Sequence, residues 1–412
     1  MCLPRWWQER QANCNGSTGT SVRLDVAALF GKQDGRTVVA DHATERRSRR
    51  DAGDLSRSAR VGLGPAISMG LKVYYSDNHG AGRLEDGRDR VSPFGPSAIA
   101  AVLSTMKYRP LAEELQEEPS PLEFMRYVAR NTPFVVRKAA SGWQASKHWD
   151  VSFLKETLVG QDVNVAVTPK GLVFAKPLEE DQAFGDFIDF VVRQEKNLAN
   201  HDDEDEIRYA QTQNDNLRHE YATLFSHVHR DIPFARIALD REPEAINLWI
   251  GNSRSVTAMH KDNYENIYVQ ILGRKHFVLL PPLCHPCVNE QRLRPATYAR
   301  KSCNDPDGGG GGGTETTATA GSLELQLDDS ESEEVPFAIW DVDRPDEQAT
   351  PYSKLACPMR VTLEPGDMLY LPAMWYDMDF SGPLYPMSSF VRAVHMRDEV
   401  NVLKQDAQEK EG

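Results

Sequence analysis

From residue 97 onward, apolar side chains recur at the three- and four-residue spacing that is typical of amphipathic helices. Between these stretches lie short apolar runs that are typical of buried strands. The pattern predicts helices over 97–115, 121–128 (with Ser120 as the N-cap), 149–159 and 184–192, and strands over 133–137 and 164–169. The first half of the ordered chain is therefore expected to mix helices with a few strands.

From residue 207 the pattern changes to strands that are separated by turns. Strands are predicted over 245–250, 266–272, 275–280, 359–363 and 368–372. Pro281 and Pro282 end the third of these, because proline has no N–H to donate to a strand ladder. Helices in front of an antiparallel, turn-rich region predict an α+β fold whose second half is a barrel or jelly roll.

The chain divides where its composition changes. Residues 1–95 are rich in Arg, Gly, Ser and Asp and are predicted to be a disordered leader, or part of an overlong gene model. An N-terminal helical and α+β part over 96–240 and a β domain over 241–395 follow, and 396–412 is a charged tail. Residues 303–335, which contain six consecutive glycines, are predicted to be a flexible surface insertion.

Length, charge and cysteine content narrow the class of protein. A net charge of −14 over 412 residues is unsuited to bulk nucleic-acid binding, which needs phosphate neutralisation, and favours a basic protein partner. The six cysteines form no dense framework, and neither a secretory signal nor an apolar run of about 20 residues is evident. We expect a cytoplasmic protein without a membrane segment, and the Arg-rich run at 46–50 is a candidate nuclear signal.

The motif His-x-Asp occurs four times, beginning at His148, His201, His229 and His260, whereas about one match is expected by chance. The first three lie at a helix start, in an acidic run and in a polar stretch, and are interpreted as surface pairs. His260 and Asp262 lie between strand segments, where residues two apart face the same side. A histidine from a distant strand would complete the facial triad of a non-haem Fe(II) oxygenase.

Lys275 opens the strand that follows the tight turn at Gly273 and Arg274. In a regular strand it shares a face with Phe277 and Leu279. A lysine inside a barrel is costly unless it is paired, so a bound carboxylate such as that of 2-oxoglutarate would explain it. The alternative is a turn lysine that is exposed to water, and the spacing alone does not choose between them.

The segments 247–252, 256–268 and 273–277, with Pro281 and Pro282, resemble the JmjC (cupin-8) oxygenases. Within that group they are similar to the bifunctional peptidase and (3S)-lysyl hydroxylase family, and residues 133–137, 164–169 and 369–376 match it too. The resemblance covers residues 97–390 apart from the Gly-rich insertion. It implies a double-stranded β-helix behind N-terminal helices.

The resemblance also implies a chemistry, in which Fe(II) is the cofactor and 2-oxoglutarate the co-substrate. Oxidative decarboxylation of 2-oxoglutarate to succinate is coupled to hydroxylation of a lysyl side chain in a protein substrate. A homodimer is expected from the resemblance alone. The matching residues are His260 and Asp262 as iron ligands, Lys275, Thr257 and Tyr209 at the distal carboxylate of 2-oxoglutarate, and Asn247 and Trp249 along the pocket wall.

The chain departs from the family pattern after Trp375 and Tyr376, where the family has the distal histidine and then another strand. Here the sequence continues directly with Asp377 and Met378, as if a loop and one core strand between two Trp-Tyr pairs had been removed. Such a loss would expose the edges of the neighbouring strands and leave a cavity.

Three interpretations of this departure are open. A mis-spliced gene model or alternative transcript is favoured because the sequence resumes in register; a pseudo-enzyme with a truncated barrel is the second. In the third, Asp377 or His395 replaces the missing ligand. Asp377 falls at the right count, but two carboxylates among three ligands are unusual, and His395 lies beyond Pro386 in a helix-like stretch. The chain as written is therefore not expected to be an active oxygenase.

Two hypotheses of function follow: a 2-oxoglutarate- and Fe(II)-dependent protein hydroxylase acting on lysine, or a catalytically inactive JmjC-like module that binds a protein partner. A third metal ligand would separate them. Cys284 and Cys287 have C-x-x-C spacing, but no second pair follows to complete a zinc site. No Ser-His-Asp arrangement or zinc-protease motif supports a peptidase.

Overall fold

The computed structural model describes residues 67–76, 96–105, 112–169, 175–196, 206–301, 323–329, 332–381 and 404, and these all belong to one compact unit. The α-helices within these ranges are α1 (Pro96–Thr105), α2 (Pro121–Arg130), α3 (Gln144–His148), α4 (Val151–Thr157), α5 (Phe184–Lys196) and α6 (Pro233–Leu239). Short 3₁₀ helices lie at Ala222–His227, Pro282–Cys287 and Ser353–Leu355. In this part of the chain, no helix is long and apolar enough to cross a membrane.

The strands within the same ranges belong to two halves of the chain. The first half contributes β1 (Ser68–Ser76), β2 (Glu113–Leu115), β3 (Phe134–Val136), β4 (Asp162–Thr168), β5 (Leu178–Ala183) and β6 (Ile207–Tyr209). The second contributes β7 (Ala245–Gly251), β8 (Val256–Lys261), β9 (Tyr264–Leu272), β10 (Lys275–Leu280), β11 (Glu290–Leu293), β12 (Ala296–Arg300), β13 (Leu323–Leu327), β14 (Val335–Ala338), β15 (Met359–Leu363), β16 (Met368–Leu371) and β17 (Tyr376–Ser381).

Two sheets form the jelly roll and hold the site between them. The larger has the strand order β2-β3-β16-β9-β1-β7 and the smaller has the order β15-β10-β17-β8. Apart from the parallel pair of β2 and β3, the ladders of these two sheets are antiparallel. Small sheets β5-β4-β6, β11-β14 and β12-β13 flank them. The predicted α+β jelly roll is confirmed.

Local sequence signals explain where helices α2 and α4 begin. Helix α2 begins after Ser120, whose hydroxyl accepts from the Glu123 backbone while the Glu123 carboxylate accepts from the Ser120 backbone. This capping box confirms the predicted N-cap. The helix predicted over 97–115 is wrong at residues 113–115, which pair as a strand beside β3, whereas residues 106–111 lie outside the described residues. The helix expected at 149–159 begins at Val151, because Asp150 caps it.

Strand β1 was not predicted and lies within the supposed disordered leader. It lies between β7 and β9 and pairs antiparallel with both. Met69, Leu71, Val73 and Tyr75 pack into the large hydrophobic core, so the alternate residues face the space between the two sheets. The prediction of disorder was therefore wrong for Ser68–Ser76. Residues 1–66 and 77–95 lie outside the described residues.

The position of β1 in the sheet is also relevant to the expectation that loss of a family strand exposes the edges of its neighbours. Strands β7 and β9 each form a ladder with β1, so β1 covers one edge of each of them, and β7 is the last strand of its sheet. Likewise, part of the supposed flexible insertion is a strand: β13 pairs with β12, and Val335 opens β14, which pairs with β11. The glycine run at 308–313 lies outside the described residues.

Candidate metal centre and anion pocket

His260 and Thr257 face the same side of β8 because the strand pairing shifts by one residue between them. Asp377 of β17 lies opposite His260, whereas Asp379 lies opposite Thr257. Residues 377–379 of β17 thus lie opposite residues 257–260 of β8, so β8 has one extra residue and forms a β-bulge. Directly opposite residues of an antiparallel ladder project to the same face. The four side chains therefore converge between the two sheets.

The imidazole of His260 is oriented by its own strand. Its Nδ1 atom lies 2.9 Å from the carbonyl oxygen of Ala258. Because a carbonyl only accepts, Nδ1 is the donor, and in the neutral form of the ring the lone pair lies on Nε2. Nε2 lies 3.9 Å from Oδ2 of Asp262 and 3.7 Å from Oδ1 of Asp377. The ring thus presents a ligating nitrogen to two carboxylates.

Asp262 lies in the turn between β8 and β9 and is held at both ends. Its backbone oxygen accepts from the Met374 N–H at 2.7 Å, and its Oδ2 accepts from Asn266 Nδ2 at 3.3 Å. The Lys72 ammonium group is 2.8 Å from the same oxygen. Burial alone would raise the pKa of Asp262, but the charges of Lys72 and His260 outweigh burial and lower it.

Asp377 is a fully buried carboxylate without a hydrogen bond. Its side chain is 1% exposed, and neither oxygen accepts a hydrogen bond from any residue that the structure describes. Burial raises the pKa of this carboxyl group, although the nearby His260 and Lys72 oppose the rise. Buried polar atoms are nearly always paired. A cation between Asp377 and His260 would therefore satisfy this side chain.

The donors suit a divalent metal ion such as Fe(II), which binds imidazole and carboxylate ligands. Two ligands that are each about 2.1 Å from one ion can be at most about 4.2 Å apart, and both His260–Asp distances fall within that span. Nevertheless, the described ranges contain no ready-made cluster of three or more His, Cys, Asp or Glu side chains around one point. The donor types fit, whereas their present arrangement is built around the ammonium group of Lys72.

Lys275 is a buried cation and not a turn lysine. Its side chain is 1% exposed, and it shares its face of β10 with Phe277 and Leu279, as predicted. Nζ donates to the phenolic oxygen of Tyr209 at 2.7 Å and lies 2.7 Å from Oδ1 of Asp379. Burial and the Asp379 charge hold the pKa of Tyr209 well above its ordinary value, so Tyr209 stays a neutral hydroxyl.

Trp249 lies between the two buried lysines. The Nζ atoms of Lys72 and Lys275 are 5.3 and 5.5 Å from its ring centre, distances that allow cation–π attraction. Tyr268 adds a third ring beside Lys275, at 6.0 Å. Asn247 lies on the same strand as Trp249, but its Oδ1 accepts from the N–H groups of residues 215 and 216 and so orders a loop.

The predicted residues therefore fall into two neighbouring groups. His260 and Asp262 meet at the candidate metal centre. Lys275 and Tyr209 meet at the second group, the anion pocket, where Thr257 lies opposite Asp379. Trp249 lies between the two groups. Sequence reasoning missed Lys72 and Asp379. The alternation of β1 could have revealed Lys72, and the two-residue spacing from Asp377 could have revealed Asp379. His395 lies outside the described residues.

Comparison with known proteins agrees with this architecture. A family model described as a cupin-like domain matches residues 119–377. The human bifunctional peptidase and (3S)-lysyl hydroxylase is 30% identical over 298 residues, which are 68% of this chain and 86% of that protein. A lysine-specific demethylase of Arabidopsis thaliana is 31% identical over 284 residues, 64% of this chain and 75% of its own. JmjC domain-containing protein E of Dictyostelium discoideum is 28% identical over 282 residues, 63% of this chain and 76% of its own.

The family match spans more than half of the chain and runs from the start of α2 to the buried Asp377. It includes both sheets that carry the candidate metal centre, apart from β1 and β2 and the end of β17. The fold, the site and the relatives point the same way, and the chain belongs to the cupin-like JmjC family of oxygenases.

Proposed function

We propose that this chain is an Fe(II)- and 2-oxoglutarate-dependent hydroxylase that acts on a lysyl side chain of a protein substrate. The observation that carries the proposal is the buried, hydrogen-bond-free carboxylate of Asp377 directly opposite His260. With Asp262, it supplies a third donor where the expected distal histidine is missing. His260, Asp262 and Asp377 would then hold the metal ion.

The second part of the proposal concerns the co-substrate. Lys275 would pair with the distal carboxylate of 2-oxoglutarate, and the neutral hydroxyl of Tyr209 would donate a hydrogen bond beside it, as implied by their shared contact of 2.7 Å. When bound, the metal ion would allow O₂ to oxidise both 2-oxoglutarate, to succinate and CO₂, and the lysyl side chain, which gains one oxygen atom. The aromatic rings of Trp249 and Tyr268 keep water away from the ammonium group of Lys275.

Support for a lysyl substrate comes from the relatives. One is named a lysyl hydroxylase and another a lysine-specific demethylase, so lysine is the residue type that both names share. The net charge of −14 is consistent with a basic partner that is attracted electrostatically. A cytoplasmic location is part of the same proposal.

The decisive test combines metal binding with turnover. Anaerobic Fe(II) titration should give saturable binding that His260→Ala and Asp377→Ala each weaken at least tenfold, since each removes one donor. His219→Ala is the matched control, because that imidazole has a 74% exposed side chain. With 2-oxoglutarate and oxygen, a lysine-containing basic peptide library should gain one oxygen atom on lysine in step with succinate release, as measured by mass spectrometry.

Two results would contradict the proposal. One is Fe(II) binding that is the same in the His260→Ala and His219→Ala variants. The other is saturated metal binding without any oxygen incorporation or succinate release.

A second candidate function is protein binding without turnover. It is favoured by a specific observation: the anchor Lys275 is already neutralised by Asp379 within the chain. If that ion pair were permanent, 2-oxoglutarate would find no free cation. Retention of a lysine-rich peptide by the wild-type chain, unchanged by metal, 2-oxoglutarate or His260→Ala, would favour this candidate.

A further inference from the structure

Strand β1 places an ammonium group inside the candidate metal centre. The Lys72 side chain is 3% exposed, and its Nζ atom lies 2.8 Å from Asp262 and 4.0 Å from Asp377. The contacted oxygen of Asp262 is Oδ2, which is also the one that lies 3.9 Å from His260 Nε2. Lys72 therefore bridges the two carboxylates that a metal ion would need.

The position of Lys72 is built into the fold and is not a surface accident. Gly70, one pleat earlier on the same face, leaves room for Tyr268, because a Cβ atom at Gly70 would be 2.0 Å from the phenolic oxygen. The ring of Trp249 lies 5.3 Å from the Lys72 ammonium group. Burial would lower the pKa of Lys72, but Asp262, Tyr74 and Asp377 outweigh it and hold that pKa well above its ordinary value.

An ammonium group and a metal ion compete for the same oxygen. A protonated lysine has no lone pair, so Lys72 cannot act as a ligand while it pairs with Asp262. Two cations about 4 Å apart in a protein interior repel strongly. Metal binding therefore requires Lys72 to move away from Asp262.

We propose that Lys72 is an intramolecular competitor that closes the metal centre of the resting chain. The inference rests on the proposed function, because it takes His260, Asp262 and Asp377 as the metal ligands. Strand β1 then controls metal loading: displacement of Lys72 opens the site, and its return stabilises the metal-free protein.

The test uses Mn(II) as a redox-stable probe, titrated calorimetrically into the full chain. Lys72→Met should bind Mn(II) at least tenfold more tightly than wild type, whereas Lys72→Arg, which keeps the charge, should not. The gain should vanish in Lys72→Met/His260→Ala. Metal-free Lys72→Met should also unfold at a lower temperature than wild type and recover on Mn(II) addition.

The outcomes separate the two proposals. Equal, His260-dependent Mn(II) affinity in wild type and Lys72→Met would overturn the competitor and leave the metal site intact. If the Mn(II) affinity does not depend on His260 in any variant, both the proposed metal site and the proposed role of Lys72 as a competitor would be refuted. If Lys72→Met does not fold, Lys72→Met/Asp377→Asn keeps the net charge of the wild type, and it should bind Mn(II) at least tenfold more tightly than Asp377→Asn.

A separate observation concerns the anion pocket, where a carboxylate of the chain itself pairs with Lys275. Asp379 pairs with Lys275 at 2.7 Å, and both side chains are 1% exposed. Because Asp377 and Asp379 are two residues apart on β17, the same strand supplies one carboxylate to each group. The structure assigns Asp379 as the residue that sets co-substrate affinity, since an incoming carboxylate has to displace it from Lys275; this assignment rests on the proposed function, which takes 2-oxoglutarate as the co-substrate.

This second proposal makes a prediction for the unaltered protein, which avoids variants that fail to fold. In the presence of Mn(II), wild type should bind 2-oxoglutarate no more than about threefold more tightly than 2-oxobutyrate, which lacks the distal carboxylate. Asp379→Asn should increase that preference at least tenfold, and Lys275→Met/Asp379→Asn should remove the gain. A strong preference for 2-oxoglutarate in wild type, unchanged in Asp379→Asn, would overturn the assignment.

Discussion

Replacing Asp379 by alanine is the sharpest structural test of the buried charges. The variant leaves the Lys275 ammonium group 1% exposed and without its carboxylate partner at 2.7 Å. Removing one member of a buried ion pair typically costs about 3–5 kcal/mol. The hydrogen bond to Tyr209 and the rings around Nζ remain in the variant, so we expect a loss of about 3 kcal/mol in the free energy of unfolding.

The partner variants turn this loss into a double-mutant cycle. Lys275→Met alone leaves the Asp379 carboxylate buried and should cost a similar amount. Lys275→Met/Asp379→Ala removes both charges, so it should be more stable than either single variant, with a coupling energy of about 2 kcal/mol or more.

The assay is urea unfolding followed by both far-UV circular dichroism and tryptophan fluorescence, whose agreement checks that unfolding is two-state. A pair that was exposed to solvent would contribute at most about 1 kcal/mol. If Asp379→Ala costs less than that, or if the double variant simply adds the two single losses, the pair is not buried as the structure indicates.

Three further predictions address β1 and pH. Gly70→Ala should lower the free energy of unfolding by about 1–3 kcal/mol, because the new Cβ overlaps Tyr268. Thermal unfolding should show little change for the control Gly142→Ala, because a Cβ atom at Gly142 would have no neighbouring atom within 4 Å. Deleting residues 1–76 should cause aggregation on size-exclusion chromatography, because β7 and β9 lose their ladders with β1; equal behaviour of a chain that lacks only residues 1–66 would contradict this. Hydrogen bonds from Arg300 hold the pKa of Glu180 below its ordinary value of 4.5, so its stabilisation is present above that value and is lost as pH falls through the lower folded-state pKa. Glu180→Gln should flatten the loss of unfolding free energy below pH 4.5, and an unchanged acid limb would refute the assignment.

Local signals carried the sequence-based predictions that were confirmed. The Ser120 cap is encoded within four residues of the chain, and the shared face of Lys275, Phe277 and Leu279 follows from the alternation of a single strand, although that alternation left open whether Lys275 is buried. In both cases the neighbouring residues determine the outcome. The family resemblance added the jelly roll, which no single segment encodes.

Strand β1 could not be predicted in the same way because its pairing partners are far away along the chain. Tyr74 pairs with Ala245 and Lys72 with Tyr268, so the ladders that stabilise β1 are invisible to local patterning. Only the ion pair with Asp262 shows why Lys72 is tolerated there.

Asp377 and Asp379 show a different limit of sequence reasoning. Counting from Trp375 placed Asp377 at the third ligand position, but an aspartate among strand residues has no preferred partner until the register is known. The bulge in β8 decides that Asp377 faces His260 and that Asp379 faces Thr257. A register shift of one residue would send both carboxylates to the opposite face.

The charges of the two groups, taken together, link metal and co-substrate binding. Apart from His260, the three buried carboxyl groups of Asp262, Asp377 and Asp379 carry one formal charge more than the two ammonium groups of Lys72 and Lys275. A divalent cation is therefore attracted first, and because it displaces the Lys72 ammonium group it raises the formal charge of the site by one. The added positive charge should strengthen binding of the 2-oxoglutarate dianion at Lys275, since the ring of Trp249 lies within 5.5 Å of both lysine ammonium groups and the two groups are therefore close together. Binding should be ordered for this reason, and a 2-oxoglutarate affinity that is equal with and without Mn(II) would show that the two groups are independent.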